Sequence, residues 1–118
     1  MKLIESISQW KSSNCTRLTI VTEHGEGKVQ VDLLTDHERF GTTAFIWDLY
    51  VQPDQRRKGI AKQLMQQALK RSADFGYITA TLEYDETDTQ RYIWYWYRGF
   101  GFEEIEFSNN YSLMVKEL

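Results

Sequence analysis

Residues 51–61, Val-Gln-Pro-Asp-Gln-Arg-Arg-Lys-Gly-Ile-Ala, join an apolar run to an amphipathic one. The run from Ala44 to Tyr50 reads as a strand. From Lys58 to about Phe75 the apolar residues Ile60, Ala61, Leu64, Met65, Ala68, Leu69 and Phe75 recur at helical spacing, which predicts a helix stopped by Gly76. A strand that ends in a basic, glycine-containing turn and passes straight into a helix leaves few folds open. The first-turn amides of such a helix lack carbonyl partners and carry partial positive charge. Glycine lets a ligand approach the backbone, and Arg56, Arg57 and Lys58 add full charges. That is the construction of a phosphate cradle. A solvated basic turn has the same local sequence, so the rest of the chain must decide.

The remaining pattern is a mixture of strands and helices. Leu3, Ile4, Ile7 and Trp10 fall on one helical stripe, predicting a short helix over 2–12. Arg17 to Thr22 and Lys28 to Leu34 alternate as strands around a His24-Gly25-Glu26-Gly27 turn. Residues 35–43 are polar, with Gly41, and read as a loop. Tyr77 to Tyr84 alternates again, and strand–helix–strand implies a right-handed parallel crossover. A helix is expected from about Asp88 to Arg98, capped by Thr87, Asp88 or Thr89. Phe102 to Phe107 and Tyr111 to Lys116 read as a hairpin turned at Asn109-Asn110. The expected class is α/β with a mixed parallel and antiparallel sheet, built as a single domain over 1–118.

Composition narrows the function classes. The chain has 118 residues, 42% hydrophobic and 14% aromatic, which suits one globular domain. A net charge of −3 gives no whole-chain reason to expect nucleic acid or an anionic membrane. The single cysteine, Cys15, excludes an internal disulfide and fits a reducing, cytoplasmic setting. His24 and His37 stand apart from any acidic or thiol cluster, so no metal is expected. The N-terminus carries no long apolar run, so no signal peptide or membrane span is expected.

Two motifs carry a resemblance. Arg56-x-x-Gly59-x-Ala61, with Val51 and Pro53 before it, is similar to the acetyl-CoA loop of the GNAT-type N-acetyltransferase superfamily. Tyr97, followed four and five residues later by Gly101-Phe102, resembles the helix-to-strand segment of the same superfamily. The likeness covers roughly residues 44 to 107. It implies a GNAT-like mixed sheet with splayed middle strands, flanked by helices, and acetyl-CoA as co-substrate. One departure is evident. Family members usually carry two helices between the first two strands, and those helices wall the acceptor site. Here either the N-terminal helix replaces one of them, or the first strand is missing. Both versions leave the acceptor side open.

The resemblance also assigns roles. The pyrophosphate would lie over the backbone of residues 57–61, with Arg56, Arg57, Lys58, Gly59, Ile60 and Ala61 as its contacts and Lys62 as a weaker candidate. Pantetheine would pair with the backbone of Leu49, Tyr50 and Val51, which would polarise the thioester carbonyl. Tyr97 would protonate the leaving thiolate. Gln90 stands where the family often has an asparagine that binds pantetheine or water. A primary alkylamine has a pKa of about 10.4, so a carboxylate must take its proton. Asp48 and Glu83 are the leading candidates, followed by Asp85, Glu86 and Asp88. In some members the base occupies the position held here by Trp47.

The function implied is direct acetyl transfer from CoA to a primary amine, on a small molecule or a protein. The alternative is an acyl-CoA sensor or interaction module of the same fold with weak catalysis. The crowded aromatics Tyr92, Trp94, Tyr95 and Trp96 suggest a homodimer interface or an acceptor-site lining.

Overall fold

The computed structural model describes residues 1–9, 15–85 and 92–118, with Tyr92 placed by its backbone alone. Alternating apolar residues produce an antiparallel meander of β1 (Leu3–Gln9), β2 (Thr16–Thr22), β3 (Gly27–His37) and β4 (Gly41–Val51). A single 3-10 turn, Pro53–Gln55, leads into helix α1 (Ile60–Asp74), which crosses to β5 (Thr79–Asp85), parallel to β4. Helix α2 (Tyr92–Gly99) is followed by the hairpin β6 (Glu103–Ser108) and β7 (Tyr111–Glu117). The seven strands form one mixed sheet in the order β1-β2-β3-β4-β5-β7-β6.

Register decides which side chains share a face. Leu18 opposes Val31, Ile20 opposes Val29, Val31 opposes Ile46 and Leu33 opposes Ala44, and all are buried. Helix α1 covers this face with Ile60, Leu64, Met65 and Ala68, one stripe at helical spacing. Fully burying a side chain such as Leu64 stabilises the fold by about 1.5–3 kcal/mol. The helix stops where Gly76 turns left-handed (φ 89°) and donates to the Ala73 carbonyl. Helix α2 lies on the same face, with the Tyr97 ring against Tyr84 of β5 and Phe102 of the following turn. The opposite face carries no helix among the described residues. It presents Arg17, Gln30, Asp32, Phe45 and Trp47 instead, with an Arg17–Asp32 ion pair at 2.7 Å and the Arg17 guanidinium 4.7 Å from the Trp47 ring centroid.

Three expectations are corrected. Leu3–Gln9 is a strand, not part of a helix, because it forms a full antiparallel ladder with β2 from Leu3–Thr22 to Gln9–Thr16. The first strand of the sheet is therefore present. Six residues, 10–15, connect β1 to β2, and no α-helix precedes α1 among the described residues. Trp10 and the rest of residues 10–12 lie outside the described residues. Residues 35–43 are not a loop. β3 and β4 continue through them to a tight turn at Glu38–Phe40, making a hairpin arm that extends past the neighbouring strands. His37 accepts from the Arg39 amide (3.1 Å) and the Phe40 amide (3.3 Å) through Nδ1 and shapes the tip. Of the aromatic helix, residues 88–91 lie outside the described residues, and the described part starts at Tyr92. The Asn109-Asn110 turn is present, both residues at positive φ (54° and 66°).

Gly27, at the start of β3, sets how closely α1 approaches the sheet. A Cβ there would sit 3.0 Å from Ile60 Cγ2, Leu64 Cδ1 and the Tyr50 carbonyl oxygen. Gly27→Ala should therefore destabilise the protein by about 1–3 kcal/mol through overpacking, read as a lower urea midpoint. An unchanged midpoint would mean the helix is free to back away.

Candidate active site

The two middle strands pair only briefly. β4 and β5 are in register at Ala44–Ala80 and Phe45–Thr81, and beyond that they separate. Thr43 and Thr81, both fully buried, tie the strands at the base of the split. The Thr43 hydroxyl donates to the Thr79 carbonyl (3.2 Å) and lies 3.3 Å from the Thr81 hydroxyl. Higher up, Asp48 is left-handed (φ 55°) and the β3–β4 register slips by one between Lys28/Tyr50 and Gln30/Trp47. This is a β-bulge, which bends the strand. The Gln52 amide bonds to the Glu26 carbonyl (2.8 Å), so by ladder alternation Val51 turns its own amide and carbonyl away from β3, toward the split.

At the upper end of the split lies the basic turn. Arg57 (φ 66°) and Gly59 (φ 80°) are both left-handed, and Gly59 is the N-cap of α1. Ile60, Ala61 and Lys62 have no carbonyl one turn back to receive their amides. A pocket of 340 Å³ opens here. Val51, Gln55, Arg56, Arg57 and Lys62 line it with the first helical residues, and Trp96 of α2 closes one side. Arg56 is partly committed to the fold: Nε donates to the Val51 carbonyl (2.9 Å) and the guanidinium lies 5.7 Å from the Tyr50 ring centroid. Lys58 does not line the pocket, and its ammonium donates to Gln55 Oε1 (3.1 Å). Lys62, the weaker candidate, does line it. The lining holds three cationic side chains and no acidic one, and it sits on a helix N-terminus, which suits an anion.

Tyr97 projects from α2 toward the second splayed strand, its ring 5.6 Å from Tyr84 and 5.4 Å from Trp96. Burial pushes its phenol above the ordinary range, so the hydroxyl stays protonated at neutral pH. Among the described residues nothing hydrogen-bonds that hydroxyl.

The two leading carboxylates lie on the helix-free face, in different settings. The Asp48 carboxylate receives the Gln30 amide (2.8 Å) and the Lys28 ammonium (2.9 Å). Burial raises its pKa, but the hydrogen bonds from Lys28 and Gln30 and the Lys28 charge outweigh that, so the group is held below its ordinary value. A base so stabilised in its charged form is a poor proton acceptor. Glu83 is exposed and alternates with Tyr84 on β5, so it points away from Tyr97's side of the sheet. It lines a cavity of 640 Å³ that lies between the β3–β4 arm and the β6–β7 hairpin. Trp47, at the position of the base in some family members, has its indole N–H buried without a partner.

The structure thus brings Val51, Arg56, Arg57, Gly59, Ile60 and Ala61 together at one pocket, with half-buried Leu49 and exposed Tyr50 on the strand leading to it. It leaves Lys58 out and puts Asp48 and Glu83 across the sheet from Tyr97. Asp85 ends β5, while Gln90, Glu86 and Asp88 lie outside the described residues. Sequence reasoning missed Trp96 at the pocket, the Lys28–Gln30 clasp on Asp48, and the arm. Only Trp96 had a signal, its place beside Tyr97. Among the described residues no group of three or more His, Cys, Asp or Glu could hold a metal.

The profile of the Acetyltransferase (GNAT) family matches residues 8–102. No curated protein matches the chain in sequence. Solved structures of the same fold include the PaiA N-acetyltransferase of Thermoplasma acidophilum in complex with coenzyme A, with a TM-score of 0.69 at 18% identity, over 86% of this chain and 60% of that one. A Pyrococcus horikoshii protein superposes with a TM-score of 0.73 at 19% identity, over 86% of this chain and 64% of its own length. NAA60 of Arabidopsis thaliana, in complex with a bisubstrate analogue, gives 0.67 at 19% identity, over 87% and 75%. The chain spans less than two-thirds of the first two, and at these identities the likeness is one of fold. With its split middle strands, its basic turn at the head of α1 and the profile match over most of its length, the chain belongs to the GNAT acetyltransferase family.

Proposed function

We propose that the protein is an acetyl-CoA-dependent N-acetyltransferase that passes acetyl directly to a primary amine. The observation that carries this reading is the split between β4 and β5, with an anion-binding turn at its upper end and a protonated tyrosine beside its second strand. The first-turn amides of α1, with Arg57 and Lys62, bind the CoA pyrophosphate, and Arg56 holds the turn to Val51. The pantetheine runs along β4 from Leu49 past Tyr50, whose own backbone pairs with Lys28, to Val51, whose backbone groups face the split, and fixed backbone donors there polarise the thioester carbonyl. On the helix-free face Glu83 takes a proton from the ammonium, directly or through water. The neutral amine attacks the carbonyl carbon, a C–N bond forms, and the C–S bond breaks. Tyr97 gives its proton to the departing thiolate, and the products are an amide and free CoA. No acyl-enzyme is needed. Burial, followed by the charge of Asp32, raises the Cys15 thiol above its ordinary value and disfavours the thiolate a nucleophile requires. A CoA-binding module without efficient catalysis is the second reading, favoured by the occupied lone pairs of Asp48 and by Trp47 at a base position.

Tyr97→Phe should lower kcat by about 10²-fold, the low end of acid–base contributions, and leave acetyl-CoA affinity by calorimetry nearly unchanged. Free thiol release from an amine panel measures it. Binding without release from any amine favours the module. Turnover that is indifferent to the phenol removes Tyr97 from the mechanism.

The two carboxylates separate by what they affect. Glu83→Gln should lower kcat by about 10²–10⁴-fold with normal stability. Asp48→Asn keeps a residue that tolerates positive φ but loses the Lys28 pair. It should retain most of kcat and lower stability at neutral pH. Because the Asp48 pKa is depressed on folding, its contribution is present above its ordinary value of 3.8 and fades as pH falls through the folded value. Urea midpoints of Asp48→Asn and the parent should therefore converge in acid. The opposite assignment of kcat and stability losses would make Asp48 the base.

A further inference from the structure

We infer that Trp96 is a specificity-determining residue for the co-substrate: its indole face packs on the pantoyl group of CoA, the first segment of the arm after the pyrophosphate, and so separates CoA thioesters from other pyrophosphates. This assignment rests on the acetyl-CoA reading above and names what selects the co-substrate at that site. The cations and amides of the α1 turn cannot make the distinction, because the phosphates they recognise are shared by any nucleoside diphosphate.

Trp96 stands between the two ends of the proposed co-substrate. It lines the 340 Å³ pocket with the first residues of α1, as the aromatic member of a lining otherwise made of cationic, small and aliphatic residues and Gln55. Its ring also lies 5.4 Å from that of Tyr97. On the proposed reading the α1 turn marks the phosphate end and Tyr97 marks the thiol end. The indole is therefore on the side where the arm leaves the phosphates for the thiol, not where adenosine leaves them in the other direction. That arm begins with a carbon bearing two methyl groups, the apolar feature of CoA nearest the pyrophosphate.

The wall is set before a ligand arrives. Trp96 is half-buried, and the Phe100 ring, four residues on, meets it edge-to-face with centroids 4.7 Å apart. A side chain held by its neighbours has little rotamer freedom left to lose on binding. Val51 and Ile60, both buried, add apolar surface to the same pocket. At 340 Å³ the pocket lies at the low end of small-molecule sites, about 300–1,000 Å³. It therefore takes a part of the co-substrate, the pyrophosphate and the atoms beside it.

The test measures acetyl-CoA affinity by calorimetry, with ADP as competitor, in the parent, Trp96→Ala and Trp96→Phe. ADP carries a pyrophosphate and adenosine but no pantoyl group. Trp96→Ala should weaken acetyl-CoA about tenfold, roughly what burying two methyl groups is worth, and leave the inhibition constant of ADP unchanged. Trp96→Phe keeps an apolar ring and should stay close to the parent for both ligands. If circular dichroism shows Trp96→Ala unfolded, Trp96→Gln, which keeps bulk without the apolar face, carries the same expectation. Equal weakening of acetyl-CoA and ADP would put the indole on the adenosine or the phosphates and overturn the inference. Acetyl-CoA affinity indifferent to Trp96→Ala would overturn it as well. So would a loss in Trp96→Phe as large as in Trp96→Ala, which would assign the effect to the indole N–H. All three of these results leave the CoA site standing. A parent that binds no acetyl-CoA, or binds it without competition from ADP, overturns the cofactor site itself, and this inference with it.

Discussion

Between β4 and β5 the parallel pairing stops at Phe45 and Thr81, and the rest of the site is arranged around that stop. Two parallel strands normally continue their ladder, since unpaired amides and carbonyls are costly when buried. Here two features oppose continuation. The buried Thr43 and Thr81 hydroxyls fix the strands together at the base, and the bulge at Asp48 turns β4 away above it. The backbone groups left over on β4 need a partner. The Val51 carbonyl accepts from Arg56 Nε, and on the proposed reading an extended amide-containing chain such as pantetheine pairs with the groups that remain.

The sheet also keeps two chemistries apart. Its helix-bearing face holds the basic turn, Trp96 and Tyr97, all suited to an anionic, thiol-bearing co-substrate. Its bare face holds carboxylates, with Glu83 exposed and Asp48 clasped by Lys28 and Gln30. Strand alternation does the sorting: Glu83 and Tyr84 are adjacent in sequence and face opposite sides. On the proposed reading, the split lets the two faces communicate through the gap, so acid and base need not share a surface. The fold reaches this with few parts. On the bare face the arm of β3 and β4 reaches the β6–β7 hairpin, tied by Arg39 to Glu106.

What could be read from sequence follows from what each segment buries. β2, β3, the core of β4, β5 and α1 bury one side of a regular period, so Leu18, Ile20, Val29, Val31 and the Ile60–Leu64–Ala68 stripe disclosed them. The turn at Arg56–Ala61 was legible because its job is local. β1 was not. It is an edge strand whose side chains from Ile4 to Gln9 are exposed, so no burial period marks it, and Leu3, Ile4 and Ile7 match a helical stripe by coincidence. The arm was misread for the same reason: beyond Leu34 its side chains leave the core, and only tertiary contacts such as Arg39–Glu106 show its course. Asp48 is a candidate base by residue type and position. Its clasp by Lys28 and Gln30, distant in sequence, could not be seen until the register was known.

The central claim is that acetyl-CoA lies in the split, with its phosphates on the α1 turn. Amide hydrogen exchange tests it directly, since backbone groups are the proposed contacts. Adding acetyl-CoA should slow exchange in two segments, residues 49–51 on β4 and residues 57–62 at the start of α1, and leave the β1–β2 ladder unchanged. Exchange unaltered in both segments at saturating acetyl-CoA would contradict the account.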